Sequence, residues 1–240
     1  MMRRLLASLI FMLALAAPAF ANQFSGWAVL VVAGDDRAHD GGPSKVFDNA
    51  RRDLVTAFAG IGFSPANMAQ FSLDPDHGAL PTDFGSIADT LWDLSSRAPG
   101  GCLIYFTSHG TPDGIIVGER EVGPRKMAAM VKNNCGDKPS VIVMSSCFSG
   151  QFVPALKGGN RIVITAARAD RTSFGCGELD QYTFFDDCFL RALPMANDFV
   201  RLGDLVRQCV AFREKQLGAA PPSEPQVNVG PKVAFTLRWK

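Results

Sequence analysis

Four uninterrupted apolar runs constrain the fold of this chain: Trp27 to Ala33 (WAVLVVA), Cys102 to Thr107 (CLIYFT), Val141 to Met144, and Arg161 to Ala167 (RIVITAA). A strand with one wet face alternates polar and apolar residues. A run without alternation belongs to a strand buried on both faces, as in a parallel sheet covered by helices. The stretches between the runs have helical periodicity. Val46, Ala50, Leu54, Val55 and Phe58 share one face of a helix over about Val46 to Gly60. After a short strand near Met68 to Leu73, Thr82 is expected to cap a second helix with Phe84, Ile87, Ala88, Leu91 and Leu94 inward. Asp113-Gly114 before Ile115 to Val117 signals a hairpin, and further helices are expected near Pro124 to Asn133, Thr183 to Leu193 and Phe199 to Leu217. Val233 to Leu237 (VAFTL) alternates like an edge strand. Strands alternating with helices imply right-handed crossovers and an α/β architecture with a mostly parallel central sheet. No internal repeat or linker divides the chain, so residues 22–240 are expected to form one domain.

Residues 1–21 are set aside. Arg3-Arg4, an apolar run from Leu5 to Ala17 and the small-x-small end Ala19-Phe20-Ala21 follow the order of a secretory signal peptide. The mature protein is therefore expected in the periplasm or outside the cell, without a membrane anchor. Of the 24 basic residues two lie in this leader, which leaves 22 against 23 acidic ones and a formal charge of −1. With no basic run of five or more, the electrostatic footprint of a nucleic-acid binder is missing.

All six cysteines (102, 135, 147, 176, 188 and 209) follow the leader, and an oxidising compartment favours pairing. A Cys176–Cys188 bridge is expected, with Cys102 packed as a small hydrophobe at the start of its strand. No Cys-x-x-Cys is present, which argues against thiol–disulfide exchange.

Reactive groups stand at two strand ends. His109 follows CLIYFT and Cys147 follows VIVMSS. Ligands of open α/β sheets bind beyond the carboxyl ends of the strands, and a thiol beside an imidazole is an activated nucleophile. Gly110 lets its amide approach a substrate oxygen, and with the Cys147 amide it is a candidate oxyanion hole. Chain order excludes two classes. Papain-like peptidases and α/β-hydrolases place the histidine after the nucleophile, whereas His39, His77 and His109, the chain's three histidines, all precede Cys147.

Tyr105-Phe106-Thr107-Ser108-His109-Gly110, followed by Ser145-Ser146-Cys147-Phe148-Ser149-Gly150, resembles the paired motifs of legumain-type cysteine peptidases. These form family C13 of the caspase-like clan CD, including its bacterial members. Thr165-Ala166-Ala167 with Ser173-Phe174-Gly175-Cys176 is similar to that family's specificity segment, and Trp27 to Gly34 to its opening strand. The resemblance implies a caspase–hemoglobinase-like three-layer sandwich and peptide-bond hydrolysis through an acyl-thioester, without metal or other cofactor. It assigns His109 as general acid–base, Cys147 as nucleophile and Gly110 as oxyanion donor. It places Asp187, Ser173 and Ser146 at the substrate. The arginine that the family carries after the first strand has no aligned counterpart among Arg37, His39 and Lys45, and Ser108 stands where the family often has an acid.

The expected function is an exported cysteine endopeptidase acting on peptide or protein substrates. The alternatives are a transpeptidase or ligase using the same dyad, and an inactive peptide-binding envelope module. Oligomeric state and the residue preferred before the cleaved bond are not legible. Asp48, Arg51, Arg52 and Asp53 read as a solvent-exposed charged helix face. Asp35, Asp36 and Asp40 lack calcium-loop spacing, and His77 reads as surface.

Overall fold

The computed structural model describes residues 23–76 and 78–239. The expected leader and His77 lie outside the described residues. The chain runs through β1 (Trp27–Ala33), α1 (Val46–Gly60), β2 (Met68–Ser72), β3 (Leu80–Pro81), α2 (Phe84–Arg97) and β4 (Gly101–Thr107). It continues with β5 (Ile115–Val117), β6 (Arg120–Val122), α3 (Pro124–Cys135), β7 (Ser140–Ser145) and α4 (Val153–Leu156). β8 (Arg161–Thr165), α5 (Phe184–Ala192), α6 (Phe199–Leu217) and β9 (Gln226–Val229) complete it.

Seven strands form one sheet in the order β3-β2-β1-β4-β7-β8-β9, and β5-β6 is a separate antiparallel hairpin. All neighbours in the large sheet are parallel except β9, which runs antiparallel to β8. Every residue of β1, β4 and β7 is buried. Successive side chains of a strand point to opposite faces, so each strand feeds two cores. Val29, Val31, Leu103, Tyr105, Val141 and Val143 pack under α1, α5 and α6 through residues such as Leu54, Phe58, Phe189 and Val206. Leu30, Val32, Ile104, Phe106, Ile142 and Met144 pack under α2, α3 and α4 through Ile87, Leu91, Val131 and Leu156. Two burying layers around one sheet account for apolar runs that never alternate. At roughly 1.5–3 kcal/mol for each large side chain removed from water, these two faces are the main stabilising term.

Several local expectations are corrected. α2 is capped by Asp83, whose carboxylate accepts from the Ser86 amide at 2.9 Å. Thr82 instead donates its hydroxyl to the Ala33 carbonyl and ties the helix entry to the end of β1. Asp113-Gly114 does turn the chain, closing an isolated Gly110–Ile115 bridge. The reversal between β5 and β6, however, falls at Gly118, where φ is +63°. The edge strand is β9, while VAFTL forms turns. Val233 and Leu237 are buried and Phe235 between them is exposed, a spacing of four that strand alternation cannot produce. The charged face of α1 is solvent-exposed only in part, at Asp53 and Arg52, whereas Asp48 and Arg51 are buried. Arg51 is completely buried, bonding Asp48 at 2.8 Å, Asp76 at 2.8 Å and Gln70. A helical charge pattern does not reveal that a neighbouring strand end and loop will cover it.

The disulfides also differ from expectation. Cys102 pairs with Cys135 and Cys188 with Cys209, leaving Cys147 and Cys176 as thiols. Cys102 opens β4 on the face covered by α3, whose last residue is Cys135, and their Cα atoms are 6.2 Å apart. Cys188 faces the seam between α5 and α6, 5.7 Å from the Cα of Cys209. Cys176 packs instead against Ala33, Val46 and Phe47. Non-reducing peptide mapping is expected to recover the 102–135 and 188–209 cross-links, with Cys147 and Cys176 alkylated without reductant. Replacing Cys102 and Cys135 together by alanine is expected to cost about 4 kcal/mol in denaturant unfolding, the chain-entropy value for a loop of this size. A Cys176–Cys188 peptide would refute the pairing.

Candidate active site

β4 and β7 are adjacent, parallel and in register from Cys102↔Ser140 to Thr107↔Ser145. The Ser108 amide donates to the Ser145 carbonyl at 3.0 Å, which extends the pairing one step. His109 and Cys147 each lie two residues beyond the last pair, so they leave the sheet at the same level. The backbone then closes around them. A Cβ placed on Gly110 would lie 2.2 Å from the Cys147 carbonyl oxygen and 2.9 Å from Ser146 Oγ. Only glycine allows the segment after the histidine to lie against the segment carrying the cysteine. The structure thus brings together His109, Gly110, Ser146 and Cys147.

The imidazole is held from the far side. His109 Nε2 is 2.9 Å from the Arg37 carbonyl, and its ring meets the Phe47 ring edge-on at 5.1 Å between centroids. A carbonyl only accepts, so the proton of this hydrogen bond sits on Nε2, and Nδ1 is the nitrogen left for proton transfer. Asp35 shapes the loop that presents this carbonyl. Its Oδ1 accepts from the Asp36 amide at 2.8 Å, the Arg37 amide at 3.2 Å and Arg37 Nε at 2.9 Å. Its Oδ2 accepts from Arg37 Nη2 at 3.0 Å. Ser108 donates its hydroxyl to the Ile116 carbonyl at 2.7 Å, and the Gly118 amide donates to the Gly34 carbonyl at 2.9 Å. The hairpin is thereby fastened to the ends of β1 and β4.

The sulfur is held by a different segment. The Ser173 amide donates to Cys147 Sγ at 3.2 Å, and Ser173 Oγ lies 3.6 Å from it. The Ser-Gly that follows the cysteine motif docks this segment. Ser149 Oγ accepts from the Ala167 amide at 3.1 Å, and a Cβ on Gly150 would collide with the Ala169 nitrogen at 2.5 Å. Phe148, at φ +56°, reverses the chain after the cysteine while its amide donates to Arg171 at 2.7 Å. A left-handed conformation on a bulky residue costs on the order of 1–3 kcal/mol and is held by its surroundings. The amides of Gly110 and Cys147 make no hydrogen bond among the described residues. The hydrogen bonds of the imidazole and the thiol run to Arg37 and Ser173, with no direct bond between the two side chains among the described residues.

The remaining anticipated residues are placed as follows. Ser146 is buried, and its hydroxyl has no partner among the described residues. Asp187 lies on α5 with its carboxylate bonded to Arg191 Nε at 2.9 Å and to Arg213. Two features escaped sequence reasoning, the Arg37 carbonyl and Asp186, and Cys176, expected in a bridge, is a thiol. Burial pushes the Cys176 thiol up to about 11. Asp186 is completely buried and accepts from Tyr105 Oη at 2.7 Å and Thr107 Oγ1 at 2.6 Å. Loss of hydration pushes its carboxyl above the ordinary value, opposed by its hydroxyl donors. The available signal was Tyr105 and Thr107, two hydroxyls at alternate positions of an otherwise apolar strand, which require a buried acceptor. Among the described residues no group of three or more His, Cys, Asp or Glu side chains is arranged to hold a metal ion.

Residues 90–201 match the model of the peptidase C13 family. Comparison with curated proteins found no match. Among solved structures the chain is similar to caspase-1 from Spodoptera frugiperda, with a TM-score of 0.62 and 13% identity over 86% of this chain and 87% of that one. At that identity the likeness concerns the fold, and it agrees with the mostly parallel, helix-covered sheet described above. Family match and fold together support a cysteine peptidase: residues 90–201 match the peptidase C13 family model, and they are set in a caspase-like α/β sandwich.

Proposed function

We propose that the protein is an exported cysteine endopeptidase that cleaves peptide bonds through His109 and Cys147. The observation that carries this reading is the seating of Gly110 on the Cys147 backbone, because it joins the two strand ends into one cleft edge with two uncommitted amides. Cys147 Sγ attacks the scissile carbonyl carbon as its proton passes to His109 Nδ1. The negative charge on the carbonyl oxygen is met by the Gly110 and Cys147 amides, which need no reorganisation when the charge appears. The tetrahedral species collapses to a thioester as His109 returns the proton to the leaving amine. A water deprotonated by the same nitrogen then attacks the thioester and releases the acid. A substrate between the two side chains supplies the connection they lack in the free protein, where such hydrogen bonds are often long.

The Arg37 carbonyl keeps His109 in the tautomer that leaves Nδ1 free. Ser173 positions the sulfur through its amide and stands on the wall along which an extended peptide lies. Ser146 has an unused hydroxyl next to the oxyanion position. Asp187, already occupied by two guanidinium groups, is given no part in specificity. Export is supported by the order of the leader residues and by the two disulfides, which persist in oxidising compartments.

Cys147→Ala is expected to reduce peptide hydrolysis to background and to abolish labelling by a thiol-directed acylating probe, with an unchanged melting temperature. His109→Ala is expected to lower kcat by about 10²–10⁴-fold. Probe labelling that survives Cys147→Ala, or full turnover without His109, would refute the assignment. Gly110→Ala must move the Cys147 carbonyl. It is expected to lose about 1–3 kcal/mol of stability in denaturant unfolding, the usual cost of overpacking, and at least tenfold in kcat/KM, since a donor displaced from the oxyanion costs more than that. Wild-type stability and activity in this variant would show that the two segments are not pressed together.

A further inference from the structure

Strand parity places one more group at this site. On β4, Tyr105 points to the α1/α5/α6 face, and Thr107 and His109 follow at two-residue steps. On β7, Val143 points to the same face, followed by Ser145 and Cys147. Thr107 and Ser145 are register partners. They lie one two-residue step, about 7 Å, beneath the imidazole and the thiol.

The β4 partner binds a carboxylate. Asp186 takes Tyr105 Oη on Oδ1 and Thr107 Oγ1 on Oδ2. Its own amide donates to Thr183 Oγ1 at 3.0 Å in the first turn of α5. One acid therefore joins the end of β4, whose Thr107 is paired with Ser145 of β7, to the capping turn of α5 directly below the candidate dyad. No Lys, Arg or His pairs with it among the described residues, in contrast to its neighbour Asp187. A completely buried acid without a cation is a costly way to fill space, since an apolar side chain avoids the desolvation. What a carboxylate offers that a leucine does not is about four acceptor sites in one plane, enough to take both β4 hydroxyls at once.

We propose that Asp186 is a positioning residue for the His109–Cys147 pair, fixing the end of β4 against α5 through Thr107 so that His109 stands at the spacing from Cys147 that proton transfer needs. This inference rests on the peptidase reading above. It predicts that loosening the carboxylate slows chemistry while leaving substrate binding in place.

The test compares Asp186→Asn, Thr107→Val and Thr107→Ser in the full chain. Three readouts are taken: kcat and KM on a peptide substrate, the rate of Cys147 alkylation by iodoacetamide relative to Cys176 in the same molecule, and the melting temperature. Asn keeps the shape but offers one acceptor oxygen, and Val keeps the volume of Thr without the hydroxyl. Asp186→Asn and Thr107→Val are expected to lower kcat and the Cys147 alkylation rate by about 10²-fold, the cost of an ångström-scale misplacement, with KM within about threefold. Thr107→Ser, which restores the donor, is expected to return both rates to near wild type. If Asp186→Asn does not fold, the Val and Ser pair carries the test. Variants that melt earlier but keep wild-type kcat and alkylation rates would make Asp186 a stability element only and overturn the inference. A wild-type Cys147 that reacts no faster than Cys176 would remove the dyad reading, and the inference with it.

Discussion

Six backbone pairs, from Cys102↔Ser140 to Thr107↔Ser145, hold β4 and β7 side by side with their carboxyl ends level. Everything at the candidate site is referred to that ladder. The side-chain period of a strand is two, so a slip of one residue would turn Cys147 to the opposite face of the sheet from His109. Burial on both faces prevents the slip. It would carry Ile104 and Phe106 into the layer of Tyr105, and the Tyr105 and Thr107 hydroxyls away from Asp186. The two cores that stabilise the domain are thus also what aligns the imidazole with the thiol.

Beyond the ladder, the site is finished by loops from three other parts of the chain. The segment after β1 contributes the Arg37 carbonyl, tensioned by Asp35. The β5–β6 hairpin is fastened to it through Ser108, Gly34 and Gly118. The segment after β8 lays Ser173 on the sulfur and is docked by Ser149 and Gly150 of the cysteine's own motif. Each side chain of the pair is therefore oriented by backbone groups outside its own strand, a supporting layer as important to reactivity as the pair itself. The disulfides lie away from this edge, at the entry of β4 and in the α5–α6 seam, and they brace the layers that carry it.

How much of this was legible depends on the length of chain over which the controlling physics acts. The bounds of α1 and α6 follow from helical periodicity, and the central strands from apolar runs, because both signals are local and repeated. Caps and edges rest on one or two side chains and were misplaced. Thr82 and Asp83 are both competent caps, and the choice fell to Asp83 because the Thr82 hydroxyl met the Ala33 carbonyl. Val233, Phe235 and Leu237 alternate in sequence, but the need to bury the first and last in the core beneath α1, α5 and α6 was met by turns. Arg51 looks like a surface residue on a helical wheel and became the buried centre of an ion-pair network, since Gln70 and Asp76 come from a strand and loop that no helical pattern describes.

The sequence by itself determined the architecture and put forward His109 and Cys147 as the candidate pair. Apolar runs separated by amphipathic helices admit few arrangements, and a histidine-then-cysteine order with paired His-Gly and Cys-x-Ser-Gly motifs is informative without coordinates. Tertiary structure decided which cysteines pair, which carbonyl steers the imidazole, which amide touches the sulfur, and that Asp186 rather than Asp187 lies beneath the site. These are relations between side chains more than 20 residues apart, set by sheet order and helix packing. Neighbouring acids in one helical turn point in different directions, and only the packed layers decide which of them meets a strand and which meets an arginine.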